Sequence, residues 1–145
     1  GLEKIKTIGD AYMAVAGLPQ PQPDHVLRAA RMALQMHQAI GQVAAETGEP
    51  LALRIGLHSG PVVAGVIGRR KFAYDLWGDT VNTASRMESH GLPGHTHCTE
   101  ITASLLRAAF TVQERGVMDI KGKGEMKTCF LVPTQMPATD PGATP

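Results

Sequence analysis

Residues 53–89 read LRIGLHSGPVVAGVIGRRKFAYDLWGDTVNTASRMES, and three strand patterns lie within this stretch or begin just before it. Residues 51–58 alternate between apolar and polar side chains, as a half-buried strand does. Residues 61–68 form an apolar run spaced by glycines, which predicts a strand that is buried on both faces. Residues 72–77 give a third strand pattern. Three strands in close succession indicate that this part of the chain builds a sheet.

A helical pattern follows the third strand directly. Asp79 is a favourable N-cap residue, and the helix is expected to run from Thr80 to about His90. Gly91 and Pro93 then end the pattern, because glycine accommodates a left-handed cap and proline cannot continue a helix. Strands that lead into a helix are typical of an α/β fold.

A β-hairpin is predicted ahead of this stretch. Residues 3–8 and 11–16 both have strand patterns, and only Gly9 and Asp10 separate them. Two-residue loops that begin with glycine suit the turns that match the twist of paired strands. The hairpin would therefore hold Asp10 at its tip.

A longer helix is predicted between the hairpin and the next strand. Asp24 is expected to cap it, and the helical pattern continues to about Glu46. The apolar residues that fall within one arc of this helix, and are expected to face the core, are Val26, Ala29, Met32, Ala33, Met36, Ile40, Val43 and Ala44.

The carboxyl-terminal part predicts a strand near residues 95–98, a helix near 100–109 and a closing pair of strands at 111–120 and 126–132. The whole order is β-β-α-β-β-β-α-β-α-β-β, which predicts an α/β domain with a mixed or antiparallel sheet. Residues 133–145 contain four prolines and no periodicity, so a disordered tail or linker is expected there.

The composition excludes several classes of protein. The 145 residues include 14 Lys and Arg and 13 Asp and Glu, so the net charge of +1 disfavours a strongly basic nucleic-acid binder. The apolar runs fall well short of the roughly 18 residues that a membrane span needs. Cys98 and Cys129 form no disulfide framework, so small buried thiols in a reducing compartment are expected. Only 19% of the residues are charged, which indicates that a partner covers part of the surface.

Lys6 and Asp10 form the first cluster that could carry chemistry. An aspartate at a hairpin tip is most often a turn former and nothing more. It is also a hard oxygen ligand at the end of a rigid ribbon, and Mg²⁺ commonly uses one or two carboxylates together with substrate phosphates. The residues alone leave both interpretations of Asp10 open.

Asp75, Asn82 and Arg86 form the second cluster. Asn82 and Arg86 are four residues apart on the predicted helix, so their side chains lie on one face, one turn apart. Such a pair could reach a sugar and a phosphate, although a solvated polar face would look the same. Asp75 lies between Tyr74 and Leu76 in an apolar strand, and a carboxylate there must find a hydrogen-bond donor.

The run Ile120–Gly124 is the third cluster. Flexible glycines beside lysines suit a phosphate grip, and they suit a plain solvated hairpin equally well. Arg70 would add a second cation to such a grip. His95 and His97 point to one side of a short strand, but no third or fourth ligand with convincing spacing completes a zinc site.

Three stretches together resemble the catalytic domain of class III nucleotidyl cyclases. They are EKIKTIGDAYMAVAGLP at residues 3–19, the stretch at residues 53–89, and DIKGKGEMKT at residues 119–128. The resemblance extends over residues 1–132, and the bacterial homodimeric adenylyl cyclases are the most similar members. It implies a ferredoxin-like α/β sandwich that dimerises head to tail, with ATP-binding active sites at the dimer interface.

The resemblance implies a base-reading pair and a metal ligand. Lys6 would donate to a ring nitrogen of adenine, and Asp75 would accept from its amino group. Guanylyl cyclases carry Glu and a small residue or Cys at these two places, so the pair favours ATP over GTP. Asp10 would be one of two aspartates that hold two Mg²⁺ or Mn²⁺ ions.

The resemblance also implies which residues handle the sugar and the phosphates. Asn82 would orient the ribose, and Arg86 would stabilise the charge that develops on the phosphate. Arg70 and Lys121 would bind the terminal phosphates. The implied reaction is attack of the ribose 3′-oxygen on the α-phosphate, which yields cyclic AMP for signalling and releases pyrophosphate.

One feature of the family is missing from this sequence. The family begins with a further strand and helices that carry its other metal-binding aspartate, whereas this chain begins at what would be the second strand. An N-terminally truncated domain is therefore expected, either a piece of a complete cyclase or a partial domain. A catalytically silent module that regulates a partner by dimerising, and a guanylyl cyclase, are the alternatives. The expected location is the cytoplasm or its membrane face, without membrane contact by this segment.

Overall fold

The computed structural model describes residues 2–18, 20–67 and 73–133. Within these residues the order of strands and helices is the predicted one, and the predicted α/β class is confirmed. The elements, in chain order, are β1 (Glu3–Ile8), β2 (Ala11–Val15), α1 (His25–Thr47), β3 (Ile55–Leu57), β4 (Val63–Ile67), β5 (Ala73–Trp77), α2 (Asp79–Ser89), β6 (Thr96–Thr99), α3 (Glu100–Leu106), β7 (Val112–Ile120) and β8 (Gly124–Leu131).

The described strands form three sheets. β1 and β2 pair antiparallel as the predicted hairpin, and β4 pairs with β5 in the same way. The largest sheet has the strand order β3-β6-β8-β7, in which β3 runs parallel to β6 and the other pairs are antiparallel. A mixed sheet of this kind is what the sequence predicted.

The core lies where α1 and α3 pack against the four-stranded sheet. Its two buried clusters consist of Ala30, Leu106 and Leu131, and of Cys98, Ala103 and Cys129. Both cysteines are free and fully buried, which confirms that they act as small core residues. Burial raises the pKa of the Cys98 thiol to about 12 and that of the Cys129 thiol to about 11, so both stay protonated.

Helix α1 has nearly the predicted bounds, and Asp24 occupies the predicted N-cap position. Its side chain, however, forms no capping hydrogen bond. Its Oδ1 instead accepts a hydrogen bond from Arg28 Nε at 2.8 Å, which lowers the pKa of Asp24. The buried residues of α1 are Ala30 and Ala33, so the core-facing arc is centred closer to Ala30 than the sequence predicted.

The prediction that residues 61–68 form a strand buried on both faces is wrong. Among the described strands, β4 pairs with β5 alone, and Val63 and Val66 are 64% and 61% exposed. An apolar run spaced by glycines has the same appearance in a central strand and in a two-stranded ribbon. The sequence therefore indicated a strand correctly but not what covers it.

Helix α2 approaches β3 so closely that only glycine fits at the contact. A Cβ atom on Gly56 would collide with the backbone of Glu88, Ala84 and Met87. Backbone atoms cannot swing aside as a side chain can, so the absence of a side chain on Gly56 sets how near α2 lies to the sheet.

Three further expectations concern Arg70, the carboxyl-terminal tail and membrane spans. Arg70 lies outside the described residues. The predicted tail also lies outside them, apart from Pro133. No helix in the described part of the chain is long and apolar enough to cross a membrane.

Candidate active site

An ion pair joins the hairpin to β5. Lys6 Nζ lies 3.0 Å from Asp75 Oδ2, and Asp75 is only 8% exposed. Asp75 Oδ1 accepts a hydrogen bond from the backbone N–H of Leu76 at 2.8 Å. The donor that a nearly buried carboxylate requires is therefore supplied by a residue 69 positions away, together with the adjacent backbone.

The Lys6–Asp75 pair offers a hydrogen-bond donor and an acceptor side by side. The hydrogen bond from Lys6, and then the one from Leu76, lower the pKa of Asp75, so this carboxylate is ionised at neutral pH. An ammonium group has three donors, and Asp75 engages one of the donors of Lys6. The pair can therefore form hydrogen bonds with the edge of a flat ligand on which an acceptor lies next to a donor.

Asp10 lies at the tip of the hairpin, as the sequence predicted. Gly9 adopts a φ of 60°, which is the left-handed conformation that the tight turn requires. The Asp10 carboxylate is exposed and forms no hydrogen bond or ion pair with the described residues. It is chemically suited to be one oxygen ligand of a divalent cation, with phosphate oxygens as further ligands.

The described residues do not build a complete metal site around Asp10 or elsewhere. No group of three or more His, Cys, Asp or Glu side chains could hold a metal ion within them. His97 is fully buried, and its Nδ1–H donates to the carbonyl oxygen of Met87 at 2.8 Å. Burial lowers the pKa of His97, so the ring is neutral, and its hydrogen bond to Met87 links β6 to the end of α2.

Helix α2 presents Asn82 and Arg86. The helix begins two residues after β5 ends, so only three residues separate Asp75 from the first residue of α2. Asn82 is exposed and Arg86 is half-buried. Neither side chain is hydrogen-bonded or ion-paired within the described part of the chain, which leaves both available to a ligand.

The carboxyl-terminal end of α2 is anchored to the large sheet. His97 on β6 binds the Met87 carbonyl, and Arg115 Nη1 on β7 donates to the His90 carbonyl at 2.7 Å. The Arg115 guanidinium also lies 5.0 Å above the centre of the Phe130 ring. These contacts satisfy two carbonyl groups that a helix end leaves unpaired, and they fix the helix that carries Arg86.

The lysine-rich turn lies between β7 and β8, as the sequence predicted, and its two lysines have different surroundings. Lys121 is exposed and forms no ion pair among the described residues. Lys123 Nζ lies 2.6 and 2.7 Å from the two carboxylate oxygens of Asp79. The prediction that Asp79 caps α2 is wrong, because Gly78 is the N-cap residue and no side chain caps the helix. Sequence reasoning missed the Asp79–Lys123 contact, since both lysines of the turn look equivalent in the sequence.

Known proteins that are similar to this chain identify its family. Residues 1–133 match the family described as the adenylate and guanylate cyclase catalytic domain. The chain belongs to this family, the class III nucleotidyl cyclases. An adenylate cyclase of Mycobacterium tuberculosis (strain ATCC 25618 / H37Rv) is 48% identical over 142 residues, which cover 98% of this chain and 32% of that protein. The chain thus spans about a third of the length of this relative.

Solved structures of related cyclases have the same fold. The guanylate cyclase domain of RhGC from Catenaria anguillulae, in complex with GTP, matches with a TM-score of 0.85 and 45% identity, over 91% of this chain and 72% of that one. The catalytic core of a rhodopsin-guanylyl cyclase with converted specificity, in complex with ATPαS, matches with a TM-score of 0.83 and 47% identity over the same shares. The predicted cyclase fold and family are confirmed, and relatives with either nucleotide share this fold.

Proposed function

We propose that this chain is the catalytic part of an adenylyl cyclase, which converts ATP to cyclic AMP and pyrophosphate. The observation that supports ATP is the Lys6–Asp75 pair, whose atoms lie 3.0 Å apart. Adenine has an acceptor ring nitrogen beside a donor amino group, so a cationic donor next to an ionised acceptor matches it. Guanine reverses both polarities and would leave Lys6 and Asp75 mispaired.

The remaining residues would act on the sugar and the phosphates. Asn82 would orient the ribose so that its 3′-oxygen bonds to the α-phosphorus while the bond to pyrophosphate breaks. The Arg86 guanidinium would stabilise the negative charge that develops there, and Lys121 and Arg70 would bind the terminal phosphates. The side chains of Asn82, Arg86 and Lys121 have no partner among residues 2–18, 20–67 and 73–133, and Arg70 lies outside these ranges. These roles therefore rest on residue type and on the family.

Asp10 would hold Mg²⁺ or Mn²⁺ at the tip of the hairpin. A bound divalent ion supplies charge stabilisation for the phosphates. Because the described residues offer one free carboxylate there, the second of the two proposed ions needs ligands from outside them. Val63 and Val66 are exposed on opposite faces of β4, and a second copy would cover one of these apolar faces in the proposed head-to-tail dimer.

The first experiment is an assay of cyclic nucleotide formation by the full-length gene product with Mn-ATP and Mn-GTP. We expect cyclic AMP, with a preference for ATP of about tenfold or more, and loss of this activity in Asp10→Ala. Equal activity of Asp10→Ala and wild type would refute the metal-binding role of Asp10. Absence of product from either nucleotide would support the catalytically silent module instead.

Guanylyl cyclase activity is the second candidate, because a relative with 45% identity binds GTP. The double variant Lys6→Glu/Asp75→Cys separates the two candidates. If Lys6 and Asp75 read adenine, the ratio of kcat/KM for ATP and GTP shifts towards GTP in this variant. An unchanged ratio would contradict the base-reading role, and a wild-type preference for GTP would favour the second candidate outright.

A further inference from the structure

The turn between β7 and β8, residues 121–123, is tied to the amino-terminal end of α2. Lys123 Nζ contacts both carboxylate oxygens of Asp79, at 2.6 and 2.7 Å, across 44 positions of sequence. The Lys123 side chain is only 24% exposed, whereas that of Asp79 is 74% exposed. The lysine therefore lies along the protein surface and ends on the helix, and the two-oxygen contact fixes the turn relative to α2.

Asp79 shares a face of α2 with both proposed catalytic residues. Asp79, Asn82 and Arg86 stand at positions i, i+3 and i+7 of the helix, which is the spacing of one helix face. Lys123 consequently docks the turn at the end of the face that carries Asn82 and Arg86.

The turn is short and closed by its own hydrogen bond, so its two lysines cannot be placed independently. The Lys123 N–H donates to the Ile120 carbonyl at 2.9 Å, and Gly122 has a φ of 81°, a left-handed conformation that permits the tight reversal. Anchoring Lys123 therefore also places Lys121, whose exposed ammonium group is unpaired within the described residues.

The ion pair has an electrostatic consequence as well. Asp79 is an exposed carboxylate three residues before Asn82, and left unpaired it would repel a polyphosphate bound along this face of the helix. The contact with Lys123 neutralises that charge. Lys123 thus positions the cation Lys121 and neutralises the anion Asp79.

We propose that Lys123 and Asp79 are positioning residues, which hold Lys121 beside the amino-terminal end of the α2 face that carries Asn82 and Arg86. This inference rests on the proposed function, since it presupposes a nucleoside triphosphate bound along that face. In this account neither Lys123 nor Asp79 touches the substrate.

The test is a double-mutant cycle of Lys121→Ala and Lys123→Met in the full-length gene product, read by calorimetric ATP binding and by kinetics. Each single variant should weaken ATP binding and raise KM about tenfold, with kcat changed less than about twofold. In the Lys123→Met background, Lys121→Ala should add less than about twofold, because Lys121 is already displaced.

Two further variants separate positioning from general destabilisation. Lys123→Arg should restore binding to within about twofold, because a guanidinium also engages both oxygens of a carboxylate. Lys127→Met is the matched control, since Lys127 is an exposed lysine of the same hairpin, and it should bind ATP as the wild type does. All variants should melt at closely similar temperatures.

The outcomes also distinguish this inference from the proposed function. Additive losses for Lys121→Ala and Lys123→Met, or no loss for Lys123→Met, would overturn the positioning role even if cyclic AMP is formed. ATP binding with the expected non-additivity but without cyclic AMP would support positioning and contradict only the proposed activity. A wild type that does not bind ATP would overturn both.

Discussion

Helix α2 and the β1–β2 hairpin both carry proposed site residues, but different forces hold them in place. α2 packs on β3 at Gly56, where no side chain fits, and its last carbonyls bind His97 and Arg115. The hairpin is tied to β5 by the Lys6–Asp75 ion pair, and the Lys6 side chain stays 43% exposed.

This difference in how α2 and the hairpin are held agrees with the roles proposed for their residues. Stabilising charge at a reacting phosphate requires groups that are already in place before the reaction, which favours a helix fixed by backbone packing. Reading a base and binding a metal ion involve partners that arrive with the substrate, so a hairpin held by charge pairing can serve there. We therefore expect substitutions where α2 packs on the large sheet to lower the free energy of unfolding far more than substitutions in the hairpin.

The largest effect is expected for Gly56→Ala. The added Cβ atom would meet the backbone of α2, so the helix must move away from β3. Overpacking of this kind costs about 2 kcal/mol or more of unfolding free energy, and the displaced Arg86 should reduce kcat at least about tenfold. Urea unfolding and steady-state kinetics measure both quantities.

Gly41→Ala is the matched control for this variant. Gly41 lies in α1, and nothing lies within 4 Å of a Cβ atom built on it. Alanine should stabilise the helix there by about 0.5–1 kcal/mol and leave kcat unchanged. Equal stability of the two alanine variants would mean that α2 is not held by close packing on β3.

A smaller effect is expected for Arg115→Met. The variant loses the charged hydrogen bond to the His90 carbonyl and the contact with the Phe130 ring, while the apolar stem of the side chain is kept. Unfolding free energy should fall by about 1–3 kcal/mol, measured by urea titration. Arg31→Met, at an exposed position of α1, should change it by less than about 0.5 kcal/mol. An equal loss in both would show that Arg115 does not anchor α2.

The smallest effect on stability is expected at the hairpin, for Lys6→Met. Lys6 lowers the pKa of Asp75, so its removal should raise this pKa, which an NMR titration of the Asp75 carboxyl group detects. A carboxylate whose pKa is depressed by folding stabilises the protein above its ordinary pKa of 3.8, and this contribution disappears as the pH falls through the lowered value. The stability difference between wild type and Lys6→Met should therefore shrink below about pH 4. A difference that is constant from pH 7 to pH 2 would contradict the pairing.

Local sequence patterns predicted the order of elements because hydrophobic periods and turn residues are local properties. The hairpin around Gly9 and Asp10, and the strands that lead into α2, follow from them. The exposure of Val63 and Val66 on β4 does not follow from them, since both valines look the same in the sequence whether or not another element covers them. Gly56 carried a readable signal, because a glycine inside a strand often marks close approach of another backbone.

A contact within the candidate site could be predicted where the family motif names both residues, and it could not where the partner is chosen by tertiary contact. Lys6 and Asp75 were expected to act together, and they lie in contact. Asp79 was expected to cap a helix, but its partner is Lys123, 44 positions away on a turn whose geometry the sequence does not reveal. Local rules give the capping preference of aspartate and cannot weigh it against such a distant cation.

The most direct test of the account is a crystal structure of the full-length protein with a non-hydrolysable ATP analogue and Mg²⁺. We expect Lys6 Nζ and an Asp75 oxygen to lie within about 3.5 Å of the adenine edge, while Asn82 and Arg86 face the ribose and the phosphates. A nucleotide bound with its base away from Lys6 and Asp75, or with its phosphates remote from α2, would contradict it.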